Sequence, residues 1–175
     1  MTHGFVAALA VMLLSTAGSP VATAQERESL PPLSAFPRER IAIEAREYEP
    51  DAVRLAAPAL GAVALAAAGS LASGLPFIIV RGETKGYGTG NRIEGPHEPG
   101  ELVCVVEDVV TSGGALCEAV EAVREAGLVV RHAVCVVDRE EGGADALARV
   151  GVRLDSLYRA SALLSAWERA RNPHG

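Results

Sequence analysis

The stretch Val105-Val106-Glu107-Asp108-Val109-Val110-Thr111-Ser112-Gly113-Gly114-Ala115 puts two carboxylates, two hydroxyls and two glycines in close succession. The acids end an apolar run, and the hydroxyls and glycines lead into a segment with helical spacing. Free N–H groups at a helix start, with hydroxyls beside them and glycines allowing close approach, form a cradle for phosphate. Neighbouring carboxylates would repel a bare phosphate, so the ligand must also offer sugar hydroxyls, with a bound Mg2+ to help. A phosphorylated ribose has both features. The plainer alternative is that Thr111 and Ser112 cap the helix while Glu107 and Asp108 are solvated. Capping alone does not call for two consecutive acids after an apolar strand.

Two other segments carry chemistry. Residues 82–95 place Gly82, Gly86, Gly88 and Gly90 around Lys85, directly after Arg81. Of the 16 basic residues, 15 are Arg and only Lys85 is Lys. Codon bias explains such a skew, yet a surviving Lys marks a place where a compact ammonium serves and a planar guanidinium does not. The glycine pattern lacks the strand–GxGxxG–helix setting of a dinucleotide fingerprint, and no GxxxxGK[ST] is present. The segment reads as a lid over an anion, or as an ordinary polar surface loop. In Asp138-Arg139-Glu140-Glu141-Gly142-Gly143, an Arg lies among acids. Such an Arg usually makes a surface salt bridge of little energetic weight. At a strand end it instead grips a planar carboxylate or carbonyl in bidentate fashion.

The elements that must position these residues alternate. The spacing predicts a short amphipathic helix over 38–47, a strand at Ala52–Ala56, a helix over 58–73 opened by Pro58, and a strand at Phe77–Arg81. A glycine-rich loop fills 82–95. A strand at Leu102–Asp108, a helix over 113–126 stopped by Gly127, a strand at Val129–Val137, a helix over 143–150, a strand at Val152–Leu157 and a helix over 160–171 follow. Strands apolar throughout are buried on both faces, with helices supplying the crossovers. The fold class is α/β, a mainly parallel sheet flanked by helices. Ligands bind beyond the carboxyl ends of such strands, where 81–92, 107–115, 138–143 and the turn near Ala57 all fall.

The chain of 175 residues suits one domain, expected over 38–175. Residues 1–37 are an apolar segment and a Pro-rich linker, signal-like or divergent. The run 4–14 and Ala22-Thr23-Ala24 resemble a secretory leader, but no basic residue precedes them. The run is too short to span a bilayer, so no membrane association is expected. A net charge of −6 argues against nucleic acid as a partner. Cys104, Cys117 and Cys135 follow no metal-ligand spacing and read as buried free thiols of a reducing compartment, which places the chain in the cytoplasm. His3, His97, His132 and His174 are scattered and read as satisfied or exposed imidazoles.

The segment 105–115 resembles the phosphoribosyl-pyrophosphate motif of the type I phosphoribosyltransferases. Joined in order by Arg81-Gly-Glu-Thr-Lys85-Gly-Tyr-Gly-Thr-Gly-Asn-Arg92-Ile-Glu-Gly95 and by 138–143, it is similar to the orotate phosphoribosyltransferases in particular, from about Asp51 to Leu164. The resemblance implies a Mg2+-dependent transfer of the 5-phosphoribosyl group from phosphoribosyl pyrophosphate to orotate, giving orotidine 5′-monophosphate in pyrimidine biosynthesis, by a homodimer. It implies catalytic roles for Lys85, Asp108 and Glu107. Phosphoribosyl pyrophosphate would meet Arg81, Lys85, Tyr87, Glu107, Asp108, Val109, Val110, Thr111, Ser112, Gly113, Gly114 and Ala115; orotate would meet Thr111 and Arg139. No metal site made of protein ligands is implied. The family commonly has a second Lys where this chain has Gly82 and His where it has Tyr87, and residues 1–50 match no part of its amino-terminal hood. A weakly active or non-catalytic phosphoribosyl-pyrophosphate-binding protein of the same fold, or a transferase for another base, are the alternatives.

Overall fold

The structure is a computed structural model that describes residues 45, 47–82 and 92–171, the side chain of Ala170 excepted. The amino-terminal segment, most of the helix expected over 38–47, and the loop residues Lys85 and Tyr87 lie outside the described residues. The chain divides into two units, the larger running to Arg159 and carrying the sheet.

Apolar runs with β-branched residues form the strands β1 (Arg54–Pro58), β2 (Phe77–Val80), β4 (Leu102–Val110), β5 (Val129–Asp138) and β6 (Arg153–Arg159), with the two-residue β3 (Ile93–Glu94). The helices of this unit are α1 (Val63–Ser73), α2 (Gly114–Glu125) and α3 (Gly143–Arg149). Strand order is β3-β2-β1-β4-β5-β6. Every pairing is parallel except β2 with β3. The mainly parallel α/β sheet expected from the sequence is the one observed.

Alternation along each strand divides the core between two faces. Ala56, Val105 and Cys135 pack with Leu116, Val120 and Val123 of α2 and Leu147 of α3. Leu55, Ala57, Cys104, Val106 and Val134 pack on the other side with Ala62 and Ala66 beside α1. Helices therefore cover both faces, which is why the strands read as unbroken apolar runs. At the start of β1, Arg54 makes a bidentate pair with Glu101, both contacts at 2.9 Å, tying β1 to the turn before β4. His132 is buried and satisfied by Asp155, as read from the sequence, and the Tyr48 ring stacks on it. Cys104 and Cys135 are buried free thiols, while Cys117 is half-buried.

Several boundaries differ from expectation; β1 begins and ends two residues later than read, and β6 ends two residues later. Pro58 ends β1 instead of opening a helix, and α1 starts only at Val63. Proline fits there because the next N–H, of Ala59, is the one that reaches β2, at Val80 O, 2.8 Å away. The missing Pro58 donor thus falls on the other edge, past the last β1–β4 partner at Ala56. Strand β4 runs two residues further than expected, so Val109 and Val110 are strand. The stretch read as loop over 82–95 closes with β3, in which Ile93 is buried and pairs with Val80.

The second unit is described by α4 (Ala160–Arg171), in which the Arg171 guanidinium lies 4.5 Å from the Trp167 ring centroid one turn earlier. No helix among the described residues is long and apolar enough to cross a membrane.

Candidate functional site

Strand β1 has β2 on one side and β4 on the other, and the chain leaves β1 toward β2. The carboxyl ends of β1 and β4 therefore flank a crevice where the topology switches direction, the usual ligand position in an open α/β sheet. The turn after β1 and the double acid of β4 meet across it. An ideal Cβ on Gly61 would come within 2.8 Å of Asp108 Oδ2 and 3.3 Å of Oδ1. Asp108 thus occupies space that only glycine leaves open. The sequence signal was the turn near Ala57, but nothing in it singled out Gly61.

The two acids are not equivalent. Glu107 Oε1 accepts the Asp108 N–H at 3.0 Å, and Asp108 Oδ1 accepts the Val109 N–H at 2.7 Å. Burial, then a side-chain hydrogen bond with Asp108 and that carboxylate's charge, push the Glu107 carboxyl from its ordinary 4.5 to about 8. Near neutral pH Glu107 carries a proton, which lessens the repulsion of a phosphorylated ligand. No cluster of three or more His, Cys, Asp or Glu capable of holding a metal occurs among the described residues. The oxygens of Asp108 and Glu107 would suit Mg2+, an oxygen-seeking ion that keeps several waters and completes its shell with substrate oxygens, provided its binding displaces the Glu107 proton.

After β4 the chain turns through Thr111, Ser112 and Gly113, and α2 begins at Gly114. Gly113 adopts φ 82°, and no side chain caps the helix. The capping alternative for Thr111 and Ser112 therefore fails. The first intrahelical bond runs from Cys117 N–H to Gly113 O, 2.9 Å, and the N–H groups of Gly114, Ala115 and Leu116 precede it. Gly114 and Ala115 are exposed and Thr111 half-buried, an arrangement that can receive an anion. Val110 serves differently: its side chain is buried and its carbonyl accepts the Arg139 N–H at 2.9 Å. That bond joins the turn after β4 to the segment after β5. Gly143 tightens the junction, since a Cβ there would overlap Val110 Cγ1 and lie 2.8 Å from Thr111 O.

Arg139 follows β5 at the level of the cradle, because Val110 and Asp138 are register partners. Its guanidinium meets Glu141 at 2.7 Å. Arg81 leaves β2 at the same end of the sheet, but its exposed guanidinium pairs with Glu94 at 3.0 Å. The crevice thus gathers Glu107, Asp108 and residues 111–115, with Arg139 alongside. Arg81 stands one strand beyond β1 with its charge engaged. Cys104 and Cys135 contribute no nucleophile: burial pushes both thiols up to about 12. A groove of about 540 Å3 between α3 and the start of β6, lined by Arg131, Asp145 and Arg153, contains none of the candidate residues.

No family model matches the chain. The chain is 52% identical over 111 residues to a protein of Methanocella arvoryzae named orotate phosphoribosyltransferase, the match covering 63% of each chain. It spans 63–65% of the length of the first curated relatives it matches. Among solved structures, an orotate phosphoribosyltransferase from Aeropyrum pernix aligns with a TM-score of 0.67 and 33% identity, over 73% of this chain and 72% of that one. The Mycobacterium tuberculosis H37Rv orotate phosphoribosyltransferase in complex with 5-phospho-alpha-D-ribosyl 1-diphosphate aligns at 0.61 with 32% identity, over 72% of this chain and 75% of that one.

Proposed function

The chain belongs to the orotate phosphoribosyltransferase family, and from that membership we propose that it transfers a 5-phosphoribosyl group from phosphoribosyl pyrophosphate to orotate. The products are orotidine 5′-monophosphate and pyrophosphate, a step of pyrimidine biosynthesis. One observation carries the reading: an uncapped helix start, opened by glycine, directly follows a half-buried acid pair at the switch crevice. A related chain is named as holding the same activated sugar.

In this reaction the base nitrogen bonds to the anomeric carbon as the carbon–oxygen bond to pyrophosphate breaks, through an oxocarbenium-like centre. The protein's part is positioning and charge stabilisation. Backbone N–H groups of 113–115 and the hydroxyls of Thr111 and Ser112 hold the 5′-phosphate, with Val109 and Val110 shaping the turn. Asp108, held in place by the Val109 N–H, accepts from the ribose hydroxyls and faces the positive charge that develops on the ring. Glu107 supports it from the buried side. Bound Mg2+ supplies charge neutralisation for the pyrophosphate, and Glu107 and Asp108 are the acids that would stand near it. Lys85, with Arg81 and Tyr87 on the same loop, neutralises the departing group while the loop excludes water. Arg81 must exchange Glu94 for that anion. Thr111 and Arg139 meet orotate. The protein works as a homodimer in the cytoplasm, where its free thiols stay reduced, and without nucleic acid.

The test is orotate consumption by the full-length chain with phosphoribosyl pyrophosphate and Mg2+, beside uracil, adenine and hypoxanthine. Orotate alone should be consumed. Turnover of a purine would reassign the base, and sugar binding by calorimetry without turnover of any base would reduce the activity to ligand binding.

A further inference from the structure

One residue of the turn after β1 is set by a neighbouring strand and not by its own backbone. Gly61 is exposed, and its φ lies outside the left-handed region that favours glycine. What calls for glycine there is space. A Cβ would lie 2.8 Å from Asp108 Oδ2, 3.2 Å from Cγ and 3.3 Å from Oδ1, whereas unstrained carbon–oxygen contacts fall at about 3.3–3.6 Å. The whole carboxyl group sits against Gly61, so spinning it about its own bond leaves Cγ too close. The turn has no room to retreat: the Ala59 N–H is bonded to Val80 O at 2.8 Å, and Ala62 is fully buried in the core beside α1. With a side chain at 61, the half-buried Asp108 would be the group to yield, at the expense of the 2.7 Å bond from the Val109 N–H that holds Oδ1.

We propose that Gly61 is a positioning residue for Asp108: by carrying no side chain, it seats that carboxylate across the crevice between the ends of β1 and β4. Two elements then fix one acid. Strand β4 supplies it, and the turn after β1 leaves the notch that receives it. Gly61 touches no reacting atom in this role. The inference rests on the proposed ribose contact of Asp108, and its test separates the two.

The test is a double-mutant cycle on the full-length chain with Mg2+, phosphoribosyl pyrophosphate and orotate. Gly61→Ala should lower kcat about tenfold, as misplacing an aligned group does, while KM for orotate and the melting temperature stay within error. In an Asp108→Ala background, which empties the space the methyl group needs, the same substitution should change kcat by less than about twofold. Equal losses in both backgrounds overturn the proposal, since the methyl group then acts on the ligand or the turn and not through Asp108. An unchanged kcat in Gly61→Ala overturns it too. Should Gly61→Ala melt lower than wild type, the double variant must melt with Asp108→Ala alone, or the clash lies elsewhere and the proposal fails. If the wild type binds phosphoribosyl pyrophosphate but turns over no base, the activity reading fails, and the same cycle run on the sugar's Kd by calorimetry decides the role of Gly61. If the wild type does not bind the sugar, this proposal falls too.

Discussion

At the scale of single residues, charge is distributed less evenly than a string of acids and bases suggests. Glu107 and Asp108 are identical in formal charge, yet one is protonated near neutrality because burial and its neighbour disfavour a second ionisation. Sequence could name the pair but not its proton, since burial belongs to the fold. Arg139 is the converse: its acidic surroundings were plain in the sequence, and the ion pair is there. What the letters withheld was the left-handed backbone of Glu140 between the two partners, φ 61°. Asp108→Asn keeps the volume and removes the charge that the proposed mechanism sets against the ring, so it should lower kcat by about 10²-fold. Lys85→Ala should depress kcat by a similar factor with an unchanged melting curve. Loss of orotate absorbance reads both, and wild-type turnover in either variant removes that residue from the mechanism.

At the scale of elements, unbroken apolar runs made the parallel strands legible, and the spacing of Leu116, Val120 and Val123 made α2 so. Errors fell where local signals serve two structures. Pro58 favours a helix start in isolation, but equally fits a strand end whose donor has no acceptor. Ile93–Glu94 is too short to show a period and exists because Val80 pairs with it. Gly143 reads as the first residue of a helix, which it is; what the sequence did not show is its close approach to Val110 and Thr111 at the turn after β4. Gly143→Ala should therefore destabilise the protein by about 1–3 kcal/mol through overpacking. Denaturant unfolding measures it. A midpoint equal to wild type would mean that the two turns are not in rigid contact.

At the scale of the whole molecule, the raised Glu107 pKa links stability to pH. The unfolded chain gives up this proton near 4.5 and the folded one near 8, so between those values the folded state binds more protons. Stability from this group is full below about pH 4.5, falls as pH rises to about 8, and is level beyond. Glu107→Gln removes the titration. Relative to wild type, its melting temperature should gain steadily from pH 5 to 8.5; parallel curves for the two proteins would contradict the buried proton. The antiparallel hairpin at the sheet edge has a consequence of another kind. Because Arg81 N–H bonds to Arg92 O at 2.8 Å, both feet of the intervening segment are pinned together. Lys85, four positions from one foot, works on a leash of at most about 14 Å. Two strand spacings, about 10 Å, separate β2 from β4. On the proposed role of Lys85 that reach spans the gap, and removing two or three residues between Arg81 and Arg92 should abolish turnover while the sheet still folds.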